Sequence, residues 1–69
     1  MPEIFVYQFE GRTAVQKRRL VRLLTDAFVD AYGVRAEQVT VQLIESSRAN
    51  RAKGGVLYAD LDTAEQSTR

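Results

Sequence analysis

Cysteine and histidine are both absent from this 69-residue chain. The lack of cysteine excludes disulfide bonds and thiolate chemistry, and the lack of histidine removes the usual metal ligand and proton carrier. Tryptophan is absent as well, and proline occurs once, as Pro2. Any catalytic site in this chain must therefore move protons without an imidazole or a thiol.

An excess of charge of one sign is also missing. Ten basic and nine acidic side chains leave a net charge of +1, which is too small to predict nucleic-acid binding. The chain has no run long and apolar enough to cross a membrane and no signal-peptide core after a basic start. We therefore expect a cytoplasmic protein with neither a nucleic-acid nor a membrane partner.

The short length predicts a single domain over residues 1–69, with a core at 2–61 and a polar tail at 62–69. A chain of this size buries only about 60% of the surface that it exposes when unfolded. Because no disulfide is available, association with other chains is the expected source of further stability.

The first strand is predicted from Ile4 to Phe9. Ile4 and Val6 point to one face of this strand, and Phe5, Tyr7 and Phe9 point to the other. Both faces are apolar, so both are expected to be covered in the folded protein.

A long helix is predicted after the turn at Gly11. Thr13 and Gln16 have the spacing of a capping box, and Gly33 suits the position that ends a helix, so the helix runs from about Ala14 to Tyr32. Apolar residues at helical spacing give it an apolar stripe, which consists of Leu20, Leu23, Leu24, Ala27, Phe28, Ala31 and Tyr32.

A second strand, from Val39 to Ile44, completes a strand–helix–strand unit whose strands are expected to be parallel. A polar, basic loop at 46–53 follows, and Gly54-Gly55 precedes a short final strand or hairpin at 56–58. One helix covers only one face of a strand pair. The other apolar face therefore predicts contacts with further copies or with another chain.

Pro2 is the residue that links this fold to chemistry. If Met1 is removed, Pro2 becomes the amino terminus and its nitrogen becomes a secondary amine held at the start of a strand. The alternative is an ordinary proline at a strand's first residue, where a missing N–H is tolerated.

These features together resemble the 4-oxalocrotonate tautomerase family, over about residues 2–61. The resemblance rests on Pro2 at the head of a strand, on Glu10-Gly11-Arg12 at its end, on Gln16-Lys17 at the start of the helix, and on the loop that closes at Gly54-Gly55. It implies an α+β fold, a β-α-β subunit with a parallel strand pair, one long helix and a C-terminal hairpin. It also implies a hexamer built as a trimer of dimers, either a homohexamer or a heterohexamer with a paralogous chain.

The resemblance further implies an active site without cofactor or metal. Pro2 matches the family's general base, Arg12 matches the arginine that binds a substrate carboxylate, and Phe9 lies where the family has an apolar wall. Two positions depart from the pattern, since Thr40 replaces a second arginine and Arg51 replaces an aromatic wall residue. We expect Arg51 to replace part of the missing arginine's function; the alternative is a solvated loop side chain.

The function implied is that of an isomerase that interconverts the enol and keto forms of a small 2-hydroxy-dienoate or 2-oxo acid by a 1,3- or 1,5-proton shift. The pKa of a chain-terminal amine starts at about 8, and burial lowers the pKa of such a cation toward neutrality. One alternative is a dehalogenase-like or decarboxylase-like reaction on short unsaturated acids, for which Glu45 is a candidate to activate water. Another is a partner subunit of a mixed hexamer with little activity alone.

Overall fold

The computed structural model describes residues 1–61 of the chain, and the predicted polar tail at 62–69 lies outside them. Strands β1 (Glu3–Phe9) and β2 (Thr40–Ser46) flank helix α1 (Ala14–Tyr32), and strands β3 (Ala52–Lys53) and β4 (Val56–Leu57) follow. Short 3₁₀ turns at Ala36–Gln38 and Arg48–Asn50 lead into and out of β2. Residues 58–61 are helical.

Strands β1 and β2 form a parallel pair in a register that runs from Glu3 opposite Thr40 to Phe9 opposite Ser46. The pairing extends one residue at each end: the N–H of Thr40 donates to the carbonyl of Pro2, and the N–H of Glu10 donates to that of Ser46, both at 3.0 Å. The predicted β-α-β unit is confirmed, with β2 ending two residues later than expected.

Helix α1 has the predicted bounds because both of its ends carry local signals. The backbone N–H of Gln16 donates to the Thr13 hydroxyl at 3.1 Å, and the Thr13 N–H donates to the Gln16 side chain at 2.9 Å. At the other end Gly33 adopts φ 70°, a left-handed conformation that residues with a Cβ rarely accept. Its N–H donates to the carbonyl of Val29 at 2.9 Å.

The stripe that α1 turns toward the strand pair differs in part from the predicted one. Val21 and Val29 are half-buried, whereas Leu23 is 52% and Tyr32 is 71% exposed. Neighbouring strands lie only about 5 Å apart, so a pair of them is too narrow to cover both apolar rows of a helix about 10 Å wide. Leu23, Ala27, Ala31 and Tyr32 belong to the predicted apolar stripe but are exposed in the single chain.

No residue between 1 and 61 is fully buried in the single chain. Ile4 and Val6 are half-buried beneath α1, as the strand's alternation predicts. On the opposite face of the sheet, Phe5 is 53% and Tyr7 is 73% exposed. This uncovered aromatic surface is the kind that proteins bury against a partner.

The C-terminal hairpin is confirmed by the antiparallel pairing of β3 with β4, in which Lys53 lies opposite Val56. Gly54 and Gly55 form its two-residue turn with φ of 61° and 83°, and a turn with two positive φ angles favours glycine at both positions. Tyr58 lies beyond the strand, in the helical residues.

Among the helices that the structure describes, none combines the length and apolar character needed to cross a membrane. The cytoplasmic location stays a prediction.

Candidate functional site

The predicted site residues lie at the two opposite ends of β1. Pro2 precedes the strand and is tied to Thr40 by the backbone hydrogen bond between them. Phe9 is the last residue of the strand, and Arg12 follows it. A seven-residue strand spans about 20 Å, so a single chain does not bring Pro2 and Arg12 together. A site that uses both must combine residues from different copies.

At the carboxyl end of β1, Phe9 lies within a cluster of aromatic rings and guanidinium groups. The rings of Phe9 and Tyr58 have centroids 5.2 Å apart at an interplanar angle of 52°. The guanidinium carbon of Arg51 lies 5.6 Å from the Phe9 centroid and 5.8 Å from the Tyr58 centroid, distances at which a cation and a ring attract each other. Arg51 therefore packs on the aromatic pair, next to the predicted apolar wall.

Arg48 is the member of this cluster that sequence reasoning missed. Its guanidinium carbon lies 4.6 Å from the Phe9 centroid, nearer than that of Arg51. The signal that predicts this contact is the strand register: Ser46 pairs with Phe9, so the chain that continues from β2 stays close to the Phe9 ring. The composition of the segment at 46–53 predicts only a polar, basic loop and does not indicate this contact.

A pocket of about 330 Å³ opens at this end of β1. This volume lies at the lower end of the range of about 300–1,000 Å³ for small-molecule sites. Two guanidinium groups and one carboxylate contribute to its wall, so its charge favours an anion, and guanidinium forks suit carboxylates in particular. It is lined by Gln8, Phe9, Glu10, Gly11, Arg12 and Arg48.

Arg12 also contributes to a second, smaller cavity of about 230 Å³ on the helix side of the strand, where its neighbours include Gln16, Lys17 and Leu20. The Arg12 side chain thus stands between two cavities and is exposed in the single chain. Gln8 lines both cavities as well, and within residues 1–61 its Nε2 is buried without a hydrogen-bond partner.

Glu45 lies away from the Phe9 pocket. Its Oε2 accepts from Lys17 Nζ at 2.8 Å, and it pairs in register with Gln8 on the face beneath α1. Since successive strand residues point to opposite faces, Glu45 and Phe9 are directed to different sides of the sheet. Among residues 1–61 no three histidine, cysteine or acidic side chains are grouped so that they could hold a metal ion.

A family model and several known proteins match nearly the whole of the described chain, and all of them are tautomerases by name. Residues 2–60 match the family model described as "Tautomerase enzyme". A protein of Bradyrhizobium diazoefficiens named "Probable tautomerase" is 40% identical over 60 residues, which cover 87% of this chain and 90% of that protein. The 2-hydroxymuconate tautomerase of Bacillus subtilis is 34% identical over 62 residues, which cover 90% of this chain and all of that protein.

Solved structures agree with the sequence relatives. A 4-oxalocrotonate tautomerase isozyme from Methylibium petroleiphilum superposes with a TM-score of 0.84 at 33% identity, covering 91% of this chain and 98% of that one. The crystal structure of a 4-oxalocrotonate tautomerase homologue superposes with a TM-score of 0.81 at 42% identity, covering 87% of this chain and 95% of that one.

Proposed function

This chain belongs to the tautomerase family of isomerases, and from that premise we propose that it converts the enol form of a small 2-hydroxy-dienoate into its keto form without a cofactor. The proposal is supported by relatives named 2-hydroxymuconate tautomerase. It is carried by one observation on this chain, the arginine-lined pocket beside Phe9. A 2-oxo acid is the corresponding keto substrate for the reverse direction.

We propose Pro2, freed by removal of Met1, as the general base. Its secondary amine takes the proton from the enol hydroxyl, which leaves a dienolate, and then returns the same proton to a carbon of the substrate. No atom is gained or lost, and the reaction needs no second proton carrier. Phe9 of a neighbouring copy is proposed to exclude water from one side of the amine, since Pro2 and Phe9 of one chain lie at opposite ends of β1. A dry site favours the neutral, basic form of an amine.

Arg12 is proposed to hold the substrate carboxylate through a two-point, charge-assisted contact. This contact fixes the reacting carbon relative to the amine, and such positioning lowers the entropic part of the barrier. Because Pro2 and Arg12 of one chain lie at opposite ends of β1, the base and the carboxylate-binding group of one site come from different copies.

The assembly proposed is a hexamer, a trimer of dimers. Its support in this chain is the exposed face that carries Phe5 and Tyr7, together with a structure in which no described residue is fully buried. Thr40 brings no guanidinium to the site, which leaves room for a heterohexamer whose second chain supplies one. A native mass measurement of protein purified from its own organism separates these two forms, because a paralogous chain changes the assembly's mass.

The alternative of a dehalogenase-like or decarboxylase-like reaction receives no support from the position of Glu45. A residue that activates water must reach the pocket with a free carboxylate, and the Glu45 carboxylate is engaged by Lys17 on the other side of the sheet. We therefore propose the isomerase reaction alone.

The direct test of the function is an enol–keto assay with 2-hydroxymuconate and with phenylenolpyruvate, on protein whose intact mass confirms that Met1 is absent. We expect ketone formation well above the rate in buffer for at least one of the two. Buffer-level rates with both substrates would contradict the proposed function.

Arg12→Ala is expected to lower kcat/KM for 2-hydroxymuconate about 10- to 100-fold, because a charge-assisted contact to the carboxylate is lost. Arg12→Lys keeps the charge but loses the planar fork, so an intermediate value is expected. Arg19→Ala, at an exposed position of α1, is the matched control and should keep the parent value. Equal rates for Arg12→Ala and Arg19→Ala would show that Arg12 does not bind substrate.

A further inference from the structure

We propose that Lys17 is a positioning residue for Arg12: by neutralising Glu45, it keeps that carboxylate from drawing the Arg12 guanidinium out of the pocket beside Phe9. The inference rests on the proposed function, because it takes Arg12 as the group that holds the substrate carboxylate. It deepens that function by assigning a role in substrate binding to a lysine in the first turn of α1, which does not line the pocket.

The ion pair between Lys17 and Glu45 joins the helix to the strand beneath it. Lys17 Nζ lies 2.8 Å from Glu45 Oε2, and the two side chains are 34% and 29% exposed, so the contact is partly shielded from water. A carboxylate in such a place is stabilised by a cation. If Lys17 loses its charge, Glu45 is left to attract the next cation within reach.

The cavity on the helix side of β1 brings Arg12 close to this carboxylate. Arg12 and Lys17 both line the cavity of about 230 Å³, together with Gln8. Gln8 pairs in register with Glu45, and neighbouring strands lie only about 5 Å apart. The Glu45 carboxylate therefore lies beside the cavity that Arg12 borders, and an Arg12 side chain that turns into this cavity approaches it.

Arg12 has two cavities open to it and no fixed partner. It lines both the helix-side cavity and the pocket beside Phe9, and within residues 1–61 it forms no ion pair. Charge favours one cavity over the other. With Lys17 present, the helix-side cavity already has a cation at its wall, which repels a second one. Without that cation, the neighbouring carboxylate is unpaired and attracts Arg12 away from the substrate.

Calorimetric titration with cis,cis-muconate, a diacid that lacks the enol hydroxyl, measures how far Arg12 stays available. Lys17→Met removes the charge and keeps an unbranched side chain. Its Kd should be about three- to tenfold weaker than that of Arg19→Met, the matched control at an exposed position of α1. Glu45→Gln removes the competing carboxylate and should bind at least as tightly as the parent. The double variant Lys17→Met/Glu45→Gln should recover the parent Kd within about twofold.

This pattern separates a positioning role from a structural one. If the ion pair served only to hold α1 on the strand, Glu45→Gln would weaken binding as much as Lys17→Met does, and the double variant would recover nothing. That result, or equal Kd values in Lys17→Met and Arg19→Met, would overturn the inference. Native mass and thermal unfolding check the assembly and folding of each variant, and Lys17→Gln takes the place of Lys17→Met if that chain does not fold.

Turnover gives a second readout. The same variants should raise KM for 2-hydroxymuconate in the order of their Kd values while kcat stays within about threefold of the parent. A fall in kcat at unchanged KM would contradict the inference. The expected order of Kd values in a protein that turns over neither enol would support the role of Lys17 and place the failure in the proposed function.

Discussion

Pro2→Ala is expected to lower kcat/KM for 2-hydroxymuconate by about 10² to 10⁴-fold, the range that a positioned general base contributes. Alanine leaves a primary amine whose nitrogen lacks the ring that fixes its direction and raises its basicity. The measurement is the enol–keto assay on protein whose intact mass shows that Met1 has been removed, so that the terminal nitrogen is an amine in parent and variant alike.

Two further proteins serve as controls for the Pro2→Ala result. Glu3→Gln changes an exposed side chain next to Pro2 and should keep the parent rate. Parent protein that retains Met1 has an amide at Pro2, which has no basic electron pair, so its rate should fall at least as far as that of Pro2→Ala. Full activity in Met1-retaining protein would exclude Pro2 as the base.

Replacement of Phe5 and Tyr7 together by aspartate is expected to dissociate the assembly and, with it, to abolish most of the activity. Each aromatic side chain buried in the interface stabilises the assembly by about 1.5–3 kcal/mol, and burial of an unpaired carboxylate in its place is strongly unfavourable. Because the proposed site needs residues from different copies, kcat/KM should fall at least about 100-fold once the copies separate. Sedimentation velocity at several protein concentrations measures the dissociation.

The matched control introduces aspartate elsewhere on the surface. Arg19→Asp, on the exposed side of α1, should leave both the sedimentation coefficient and the rate unchanged. If the Phe5/Tyr7 double variant sediments as the parent does, the aromatic face of the sheet is not the contact surface. If it dissociates yet keeps its rate, the site is contained in one chain.

The parts of the fold that depend on local chemistry were predictable from sequence. The capping box at Thr13 and the left-handed Gly33 define α1 to the residue, and the alternation along β1 separates the face beneath the helix from the face that carries Phe5 and Tyr7. The parallel pairing followed from the length of the connection between the strands.

Two features could not be predicted from the sequence because they depend on which residues pack against each other in the folded chain. α1 carries two overlapping apolar rows, and helical spacing alone does not tell which row two strands will cover. The contact between Arg48 and Phe9 joins residues far apart in sequence, and only the strand register brings them together. The composition of the loop predicts a polar surface and contains no information about the ring beneath it.

Pro2 and Arg12 of one chain are separated by the length of β1, so we propose that each site combines Pro2 of one copy with Arg12 of another. Mixing of variant subunits tests this most directly. Pro2→Ala and Arg12→Ala chains are unfolded together in equal amounts and refolded as mixed assemblies. If each site takes its base from one copy and its arginine from another, about a quarter of the sites receive both intact residues, and the mixture should regain about a quarter of the parent activity. If the mixture is no more active than either variant alone, the two residues belong to the same chain's site and the claim is wrong.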